Sequence, residues 1–312
     1  MRNIPEIVGV DHGYRNMKTA NVCFPSAIME IASKPDILDD VLEFEGKYYT
    51  TACKNILAVD THDKSKSKEF YLLTLVALAK ELNTRSCSNT DISIRLATGL
   101  PKEWYLDQLK NFKTMLQQNS ILNYYFEGKR YNFKLEEVSV YQQGYAACIA
   151  YIKKFQDKFF VVVDIGGETM DEIAIKKGKT DNPNCHIETK GTIWLYKYLA
   201  NKVRTKLYKE IDESYIEYYI NTGSKDKKPV NDYERILQEG LIEYADMVFD
   251  FLKEYKVNLD LTPVVFVGGG EIVIRNFGTY SEVMTHFVTD ICSNAKGYEI
   301  LEKSRFYHSR NN

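Results

Sequence analysis

The sequence lacks the features that mark zinc-binding, disulfide-rich, secreted and membrane-spanning proteins. Its six cysteines are widely scattered and form no CxxC pair, which argues against a zinc site and against a disulfide framework. The N-terminal residues contain no long apolar segment typical of a signal peptide, and no stretch approaches the roughly 18 apolar residues of a membrane-spanning helix. We therefore expect a reduced protein in the cytoplasm that does not enter a membrane.

An excess of charge of either sign is also missing. Lysine and arginine together number 41 against 43 aspartates and glutamates, so the formal net charge is -2. This balance predicts no overall field that would attract nucleic acid or a membrane surface. We expect no direct nucleic-acid binding, and any role on DNA would require a partner protein. Local lysine clusters, such as KSKSK at 64–68, are predicted to be solvated loops.

A strand pattern recurs about half a chain apart. An apolar strand that ends in aspartate, a glycine turn and a second strand occur near residue 11 and again near residue 164. The 312 residues are too many for one typical core, so two lobes are expected in any case. Together these observations predict an α/β protein with two related lobes, each opening with a β-hairpin.

The lobe boundaries follow from this recurrence. Lobe I would span residues 1–157 and lobe II residues 158–312, with small inserted subdomains at about 30–65 and about 195–260. We expect the C-terminal helix to pack back on lobe I. Small residues on one face of 142–155 predict a helix between the lobes.

The first glycine turn has the composition of a phosphate-binding loop. Asp11 ends the first strand and can hold a magnesium ion, most simply through water, because Mg²⁺ keeps most of its hydration shell. Gly13 lets backbone N–H groups point inward as a cradle for an anion, and Lys18 adds a cation for phosphate oxygens. The alternative is a plain tight turn with a surface lysine.

The second glycine turn follows the same logic with a stronger signal. Asp164 ends the apolar run VVVD, where a charge is costly unless a metal or a ring of backbone donors pairs with it. Gly166 and Gly167 allow the backbone to approach phosphate closely, and Thr169 can donate to a phosphate oxygen.

The third glycine turn is Gly268-Gly269-Gly270, which follows the apolar strand TPVVFV. Three missing side chains would let a flat ligand lie on the backbone, although a flexible turn explains the same residues. Neither GxxxxGK[ST] nor GxGxxG occurs in the sequence, which argues against the common phosphate-binding loops. In combination, the three turns favour a nucleotide clamped between two lobes.

In these three turns the sequence resembles the actin, sugar-kinase and heat-shock-chaperone ATPase superfamily. DHGYRNMK (11–18) resembles the phosphate-1 loop of that superfamily, and DIGGETMD (164–171) resembles its phosphate-2 loop. VFVGGGE (265–271) resembles its adenosine motif. Within the superfamily the chain is most similar to the ParM-like bacterial plasmid-segregation actins. The marks of that branch are Gly13-Tyr14, GLP at 99–101, Gly191, and Asn294, Ala295, Gly297 and Tyr298.

The resemblance implies an actin-like ATPase fold, in which two related lobes, each a mixed sheet with flanking helices, hold a nucleotide in the cleft between them. The cofactors would be ATP, or GTP in its place, and Mg²⁺. Asp11 and Asp164 would hold the metal through water and would act in catalysis with Gln143, which would orient the attacking water. Gln142 is an open alternative to Gln143. The nucleotide would be bound by Gly13, Tyr14, Lys18, Gly166, Gly167, Thr169, Asp171, Gly268, Gly269 and Gly270.

The resemblance also implies a function. The expected activity is ATP hydrolysis by subunits that stack head to tail into filaments in the bacterial cytoplasm, because a heterologous interface that does not close generates a filament. A DNA-binding adaptor would tie the filament to a plasmid centromere. Two alternatives stay open: a small-molecule (sugar-type) kinase of the same superfamily, and a non-polymerising actin-like module.

Overall fold

The computed structural model describes residues 4–52, 63–85, 91–155 and 158–311. The strands within these ranges are β1 Glu6–His12, β2 Asn16–Lys18, β3 Cys23–Pro25, β4 Met29–Ile31, β5 Val41–Phe44, β6 Lys47–Thr50, β7 Asp91–Leu100, β8 Ile121–Phe126, β9 Lys129–Gln142, β10 Phe159–Ile165, β11 Met170–Lys176, β12 Lys179–Glu188, β13 Val264–Val267 and β14 Thr285–Phe287. The α-helices are α1 Lys68–Thr84, α2 Lys102–Leu116, α3 Ile149–Lys154, α4 Thr192–Leu207, α5 Glu213–Thr222, α6 Asp232–Glu254, α7 Glu271–Phe277 and α8 Ser293–Asn311.

The chain divides into two compact units. Unit 1 consists of Met1–Ala147 together with Cys292–Asn312, and unit 2 consists of Cys148–Ile291. Helix α8 therefore belongs to the same unit as β1, and the two elements are in contact. Among the residues with described positions, no helix is both long enough and apolar enough to cross a membrane.

Each unit is built on a mixed sheet, and five neighbouring strands of the unit 1 sheet are arranged like the five strands of the unit 2 sheet. In unit 1 the order is β3-β2-β1-β7-β9-β8-β5-β6-β4, and in unit 2 it is β12-β11-β10-β13-β14. Both β1 and β10 pair with an antiparallel hairpin partner on one side and with a parallel strand on the other. The prediction of an α/β chain with two related mixed sheets and flanking helices is confirmed.

Sequence periodicity explains the central elements. Strand β10 is a nearly continuous apolar run because both of its faces are covered, as in parallel sheets flanked by helices. Helix α6 is capped at its N-terminus by Asn231, whose side chain accepts from the N–H of Glu234. The helix buries one apolar face along its length. Helix α1 begins in the same way at Ser67 and is buried on nearly every side.

Two local predictions are wrong. The predicted helix at 142–155 is only α3, because β9 continues to Gln142 through its pairing with Leu100, and residues 143–148 form turns. Gly144, with a φ of 69°, lies in the left-handed region and cannot continue a right-handed helix. The lysine cluster at 64–68 is not wholly solvated, since Lys64 is 1% exposed.

Candidate functional site

The first hairpin brings Asp11 and Lys18 together. They are directly opposite each other in the pairing of β1 with β2, and Lys18 Nζ lies 3.0 Å from Asp11 Oδ2. The turn between them needs Gly13, because a Cβ there would lie 2.4 Å from the backbone oxygen of Asn16. The side chain of Tyr14 is buried in unit 1, so any contact of Tyr14 with a ligand would come from its backbone.

Gln143 joins the same cluster from the end of β9. Its Nε2 donates to Asp11 Oδ1 at 2.8 Å, so the two carboxylate oxygens of Asp11 accept from two different side chains. The neighbouring Gln142 is paired with Leu100 in the sheet. The structure thus brings together three residues that the sequence nominated separately, namely Asp11, Lys18 and Gln143.

A buried lysine completes this cluster, and sequence reasoning missed it. Lys64 lies in a 3-10 helix at Lys64–Lys66, where its Nζ donates to the backbone oxygen of His12 at 2.6 Å. Burial raises the pKa of Asp11, but Lys18, Lys64 and the hydrogen bond from Gln143 outweigh burial and lower it below its ordinary value. Asp11 is therefore a carboxylate at neutral pH. The only signal in the sequence is Asp63, whose side chain caps the short helix.

His12 is a core residue of β1. It is fully buried, and its two ring nitrogens lie 2.8 Å from Thr98 Oγ1 and 2.7 Å from Thr74 Oγ1. Burial, reinforced by the positive charge of Lys64, lowers the pKa of His12 from its ordinary 6.5 to about 3. A histidine that stays neutral at physiological pH and is enclosed in this way stabilises the strand.

The second hairpin holds two carboxylates where the first holds an ion pair. Asp164 and Asp171 are directly opposite each other in the pairing of β10 with β11, and each is 6% exposed. Like charges at such positions destabilise a sheet. Thr169 Oγ1 donates to Asp171 Oδ2 at 3.1 Å, which moderates the charge on one of the two. This end of β10 is therefore a favourable place for a cation.

Helix α4 supports the turn of the second hairpin. The backbone N–H groups of Gly191, Thr192 and Ile193 donate to the carbonyl oxygens of Glu168, Gly166 and Gly167, at 3.0, 2.9 and 2.8 Å. This packing requires a glycine, because a Cβ on Gly191 would lie 2.6 Å from the Gly167 oxygen. With three carbonyl groups of the turn bonded to α4, the turn has a fixed conformation.

The three glycines of the third turn differ in their surroundings. Gly268 has a φ of 84°, and a Cβ there would lie 2.4 Å from Asp164 Oδ1. A Cβ on Gly270 would lie 2.2 Å from a methyl carbon of Ile165. Both glycines are therefore required for packing against the end of β10, next to the second hairpin. Gly269 is different, because no atom lies within 4 Å of a Cβ built on it.

The carboxylates within the described ranges do not form a complete metal cage. No group of three or more histidine, cysteine, aspartate and glutamate side chains is arranged there to bind a metal. Mg²⁺ does not need such a cage, since it commonly binds one or two carboxylates and takes the rest of its ligands from water and substrate phosphate. The donor set of Asp164 and Asp171 fits that mode.

Comparison with known proteins gives the class of the fold. Residues 9–145 match the family model described as the N-terminal domain of actin-like proteins. A search of curated protein sequences finds no match.

Solved structures of actin homologues match nearly the whole chain. Ta0583, an archaeal actin homolog, in complex with ADP is 17% identical with a TM-score of 0.74, covering 96% of this chain and 99% of that one. The apo psk41 ParM protein is 18% identical with a TM-score of 0.72, covering 97% and 98%. The 15-stranded ParM filament from Clostridium botulinum is 18% identical with a TM-score of 0.75, covering 96% and 99%.

The chain therefore has the fold of the actin homologues, and its residues 9–145 are similar to the N-terminal domain of the actin-like proteins. The fold that this resemblance implied is confirmed, and structures named as ParM proteins are among those that share it.

Proposed function

We propose that this chain is a nucleotide-dependent, filament-forming ATPase that drives plasmid DNA segregation through a DNA-binding adaptor. The observation that carries the proposal is the pair of equivalent aspartate–glycine hairpins, one in each sheet. Fixed glycine turns with an acidic residue at the strand end suit the phosphates and metal of a nucleotide. Gly269 supports the same conclusion, since its open surroundings leave backbone free to contact the adenosine.

The chemistry proposed for the site is phosphoryl transfer to water, in which positioning and charge stabilisation do most of the work. Mg²⁺, when bound, supplies positive charge that stabilises the transferring phosphoryl group. Asp164 would hold its water ligands at the second hairpin, and Asp11 would do so at the first. Lys18 and the backbone N–H groups of the glycine turns would contact phosphate oxygens.

Gln143 is proposed to orient the attacking water. Its side-chain amide bonds Asp11 through Nε2, which leaves its carbonyl oxygen to accept from a water molecule. We favour Gln143 over Gln142 because Gln143 contacts the loop aspartate, whereas Gln142 ends a paired strand. ATP is the proposed substrate, and GTP is the alternative nucleotide.

Filament structures of proteins that share this fold support the proposed self-association. The ParM structure from Clostridium botulinum and the Alp12 structure are described as filaments, and both share this fold. A head-to-tail contact that repeats without closing would give the same kind of assembly here. The balanced charge of the chain is consistent with an adaptor making the contact with DNA.

Substitution of Asp164 tests the proposed site. Asp164→Ala should lower Mg-ATP hydrolysis at least about 100-fold, because it removes the group that holds the metal next to the phosphates. The measurement is phosphate release in parallel with binding of a fluorescent ATP analogue. A matched control is Asp250→Ala, which removes a carboxylate that is 72% exposed, and it should leave hydrolysis unchanged. Hydrolysis near the wild-type rate in Asp164→Ala would contradict the site assignment.

A further inference from the structure

We infer that Asn294 is a positioning residue for Gln143, an inference that rests on the role in hydrolysis proposed above for Gln143. Asn294 lies in the first turn of α8 and is 6% exposed. Its Oδ1 accepts a hydrogen bond of 2.9 Å from the backbone N–H of Gly144, the residue directly after Gln143. The two partners are 150 residues apart in the sequence, so only the folded protein brings them together.

The two peptide groups that flank Gln143 are held by different means. The N–H of Gln143 donates to the Leu100 oxygen at 3.0 Å, which extends the pairing of β7 with β9. The next peptide is held through the Gly144 N–H by Asn294. Fixing both peptides fixes the direction of the Gln143 side chain, which reaches Asp11. Only the bond to Asn294 depends on a side chain, so a substitution can remove it selectively.

The conformation of the turn makes this bond important. Gly144 is buried and lies in a turn with a φ of 69°. Its N–H therefore belongs to neither a strand nor a helix. Without Asn294 the buried N–H would lose this acceptor, and the turn would relax to recover one. Helix α8 lies so close to the turn that a Cβ on Gly297 would lie 2.1 Å from the backbone oxygen of Ala146.

Helix α8 also contacts the strand that carries Asp11. The N–H of Gly9 donates to Glu299 Oε1 at 3.1 Å, and a Cβ on Gly9 would lie 2.0 Å from the backbone oxygen of Ala295. The first two turns of α8 thus hold both the strand of Asp11 and the turn of Gln143. The helix sets the position of each relative to the other, and Asn294 is its link to Gln143.

The test is hydrolysis by the full chain at saturating Mg-ATP, normalised to the fraction of protein that sediments. Asn294→Ala should lower kcat about tenfold, since a small displacement of a positioning group is enough for such a loss. The nucleotide Kd should stay within about twofold of wild type. Asn294→Asp keeps the acceptor oxygen and should restore most of the rate. If Asn294→Ala fails to fold, Asn294→Ser takes its place, because the serine hydroxyl is too short to accept from the N–H of Gly144.

A control separates this role from general docking of α8. Arg305 lies near the other end of α8, where it bonds Glu302 and Ser139 but not the turn after Gln143. Arg305→Ala should lower the melting temperature and leave kcat within about twofold of wild type. An equal loss of kcat in Arg305→Ala and Asn294→Ala would overturn the specific role of Asn294.

A double-mutant cycle decides whether Asn294 acts through Gln143. In a Gln143→Ala background, Asn294→Ala should change kcat less than about twofold. A tenfold loss in both backgrounds would overturn the inference. If Gln143→Ala slows hydrolysis while Asn294→Ala does not, the inference alone fails. If Gln143→Ala hydrolyses at the wild-type rate, the proposed role of Gln143 fails, and the inference with it.

Discussion

The glycine triplet after β13 gives a prediction in which neighbouring, chemically identical residues behave differently. Gly268→Ala places a Cβ 2.4 Å from Asp164 Oδ1 on a backbone with a φ of 84°. A left-handed conformation costs an alanine about 1–2 kcal/mol, and overpacking adds about 1–3 kcal/mol. The free energy of unfolding should therefore fall by about 2–5 kcal/mol, which corresponds to a fall in melting temperature of about 5–15 °C for a unit of the size of unit 2.

Gly269 should respond in the opposite way. Gly269→Ala meets no atom within 4 Å, so its melting temperature should stay within about 3 °C of wild type. Gly269→Leu should also fold, but it fills the space proposed for the adenosine and should weaken nucleotide binding at least about tenfold.

The assay for this pair is thermal unfolding without nucleotide, followed by titration with a fluorescent ATP analogue. Wild-type affinity in a folded Gly269→Leu variant would refute the reasoning about the ligand. Wild-type stability in Gly268→Ala would refute the reasoning about packing.

Two further predictions concern the first hairpin. Gln143→Ala should slow hydrolysis about 10- to 100-fold while nucleotide binding persists, because the proposed role of Gln143 is to position water. Loss of nucleotide binding with unchanged turnover per bound nucleotide would mean that Gln143 is structural. Gln142 would then be the next residue to test. The pKa of His12 is about 3 in the folded chain and about 6.5 in the unfolded chain. As the pH falls below about 6.5, the unfolded chain is protonated at His12 while the folded chain is not, so the free energy of unfolding decreases. Between pH 7 and pH 5 the loss should be about 2 kcal/mol, measured by urea unfolding as the difference between wild type and His12→Gln. A difference that does not vary with pH would contradict the neutral, buried state of His12.

The fold was predictable because its signals are local. Each sheet opens with an apolar strand that ends in aspartate and turns at glycine, and the sequence shows both copies. The glycines of the turns are needed at close backbone approaches, for example at Gly191, where the carbonyl oxygens of the second hairpin leave no room for a side chain. Such residues leave a clear pattern in a single sequence.

The parts that were missed depend on contacts between distant segments. Lys64 sits in a lysine-rich stretch that looks solvated, but in the folded chain its Nζ donates to the backbone oxygen of His12 and lies over the ring of Tyr14. The small residues Gly144, Ala146 and Ala147 suit a helix or a tight turn equally well. The pairing of β7 with β9 and the contact with α8 select the turn. Asn294 was noted only as a family mark, since nothing near it in the sequence indicates a bond to Gly144.

The most direct test of the central claim is right-angle light scattering after Mg-ATP is added to the purified protein. Phosphate release and negative-stain microscopy would be recorded on the same sample, with Asp164→Ala as the matched control. We expect a rise in scattering with filaments on the grid, followed by a decay as phosphate is released, and no such cycle in the variant. No rise over a range of protein, salt and nucleotide concentrations, with nucleotide bound, would contradict the filament proposal and point to a kinase or a non-polymerising ATPase.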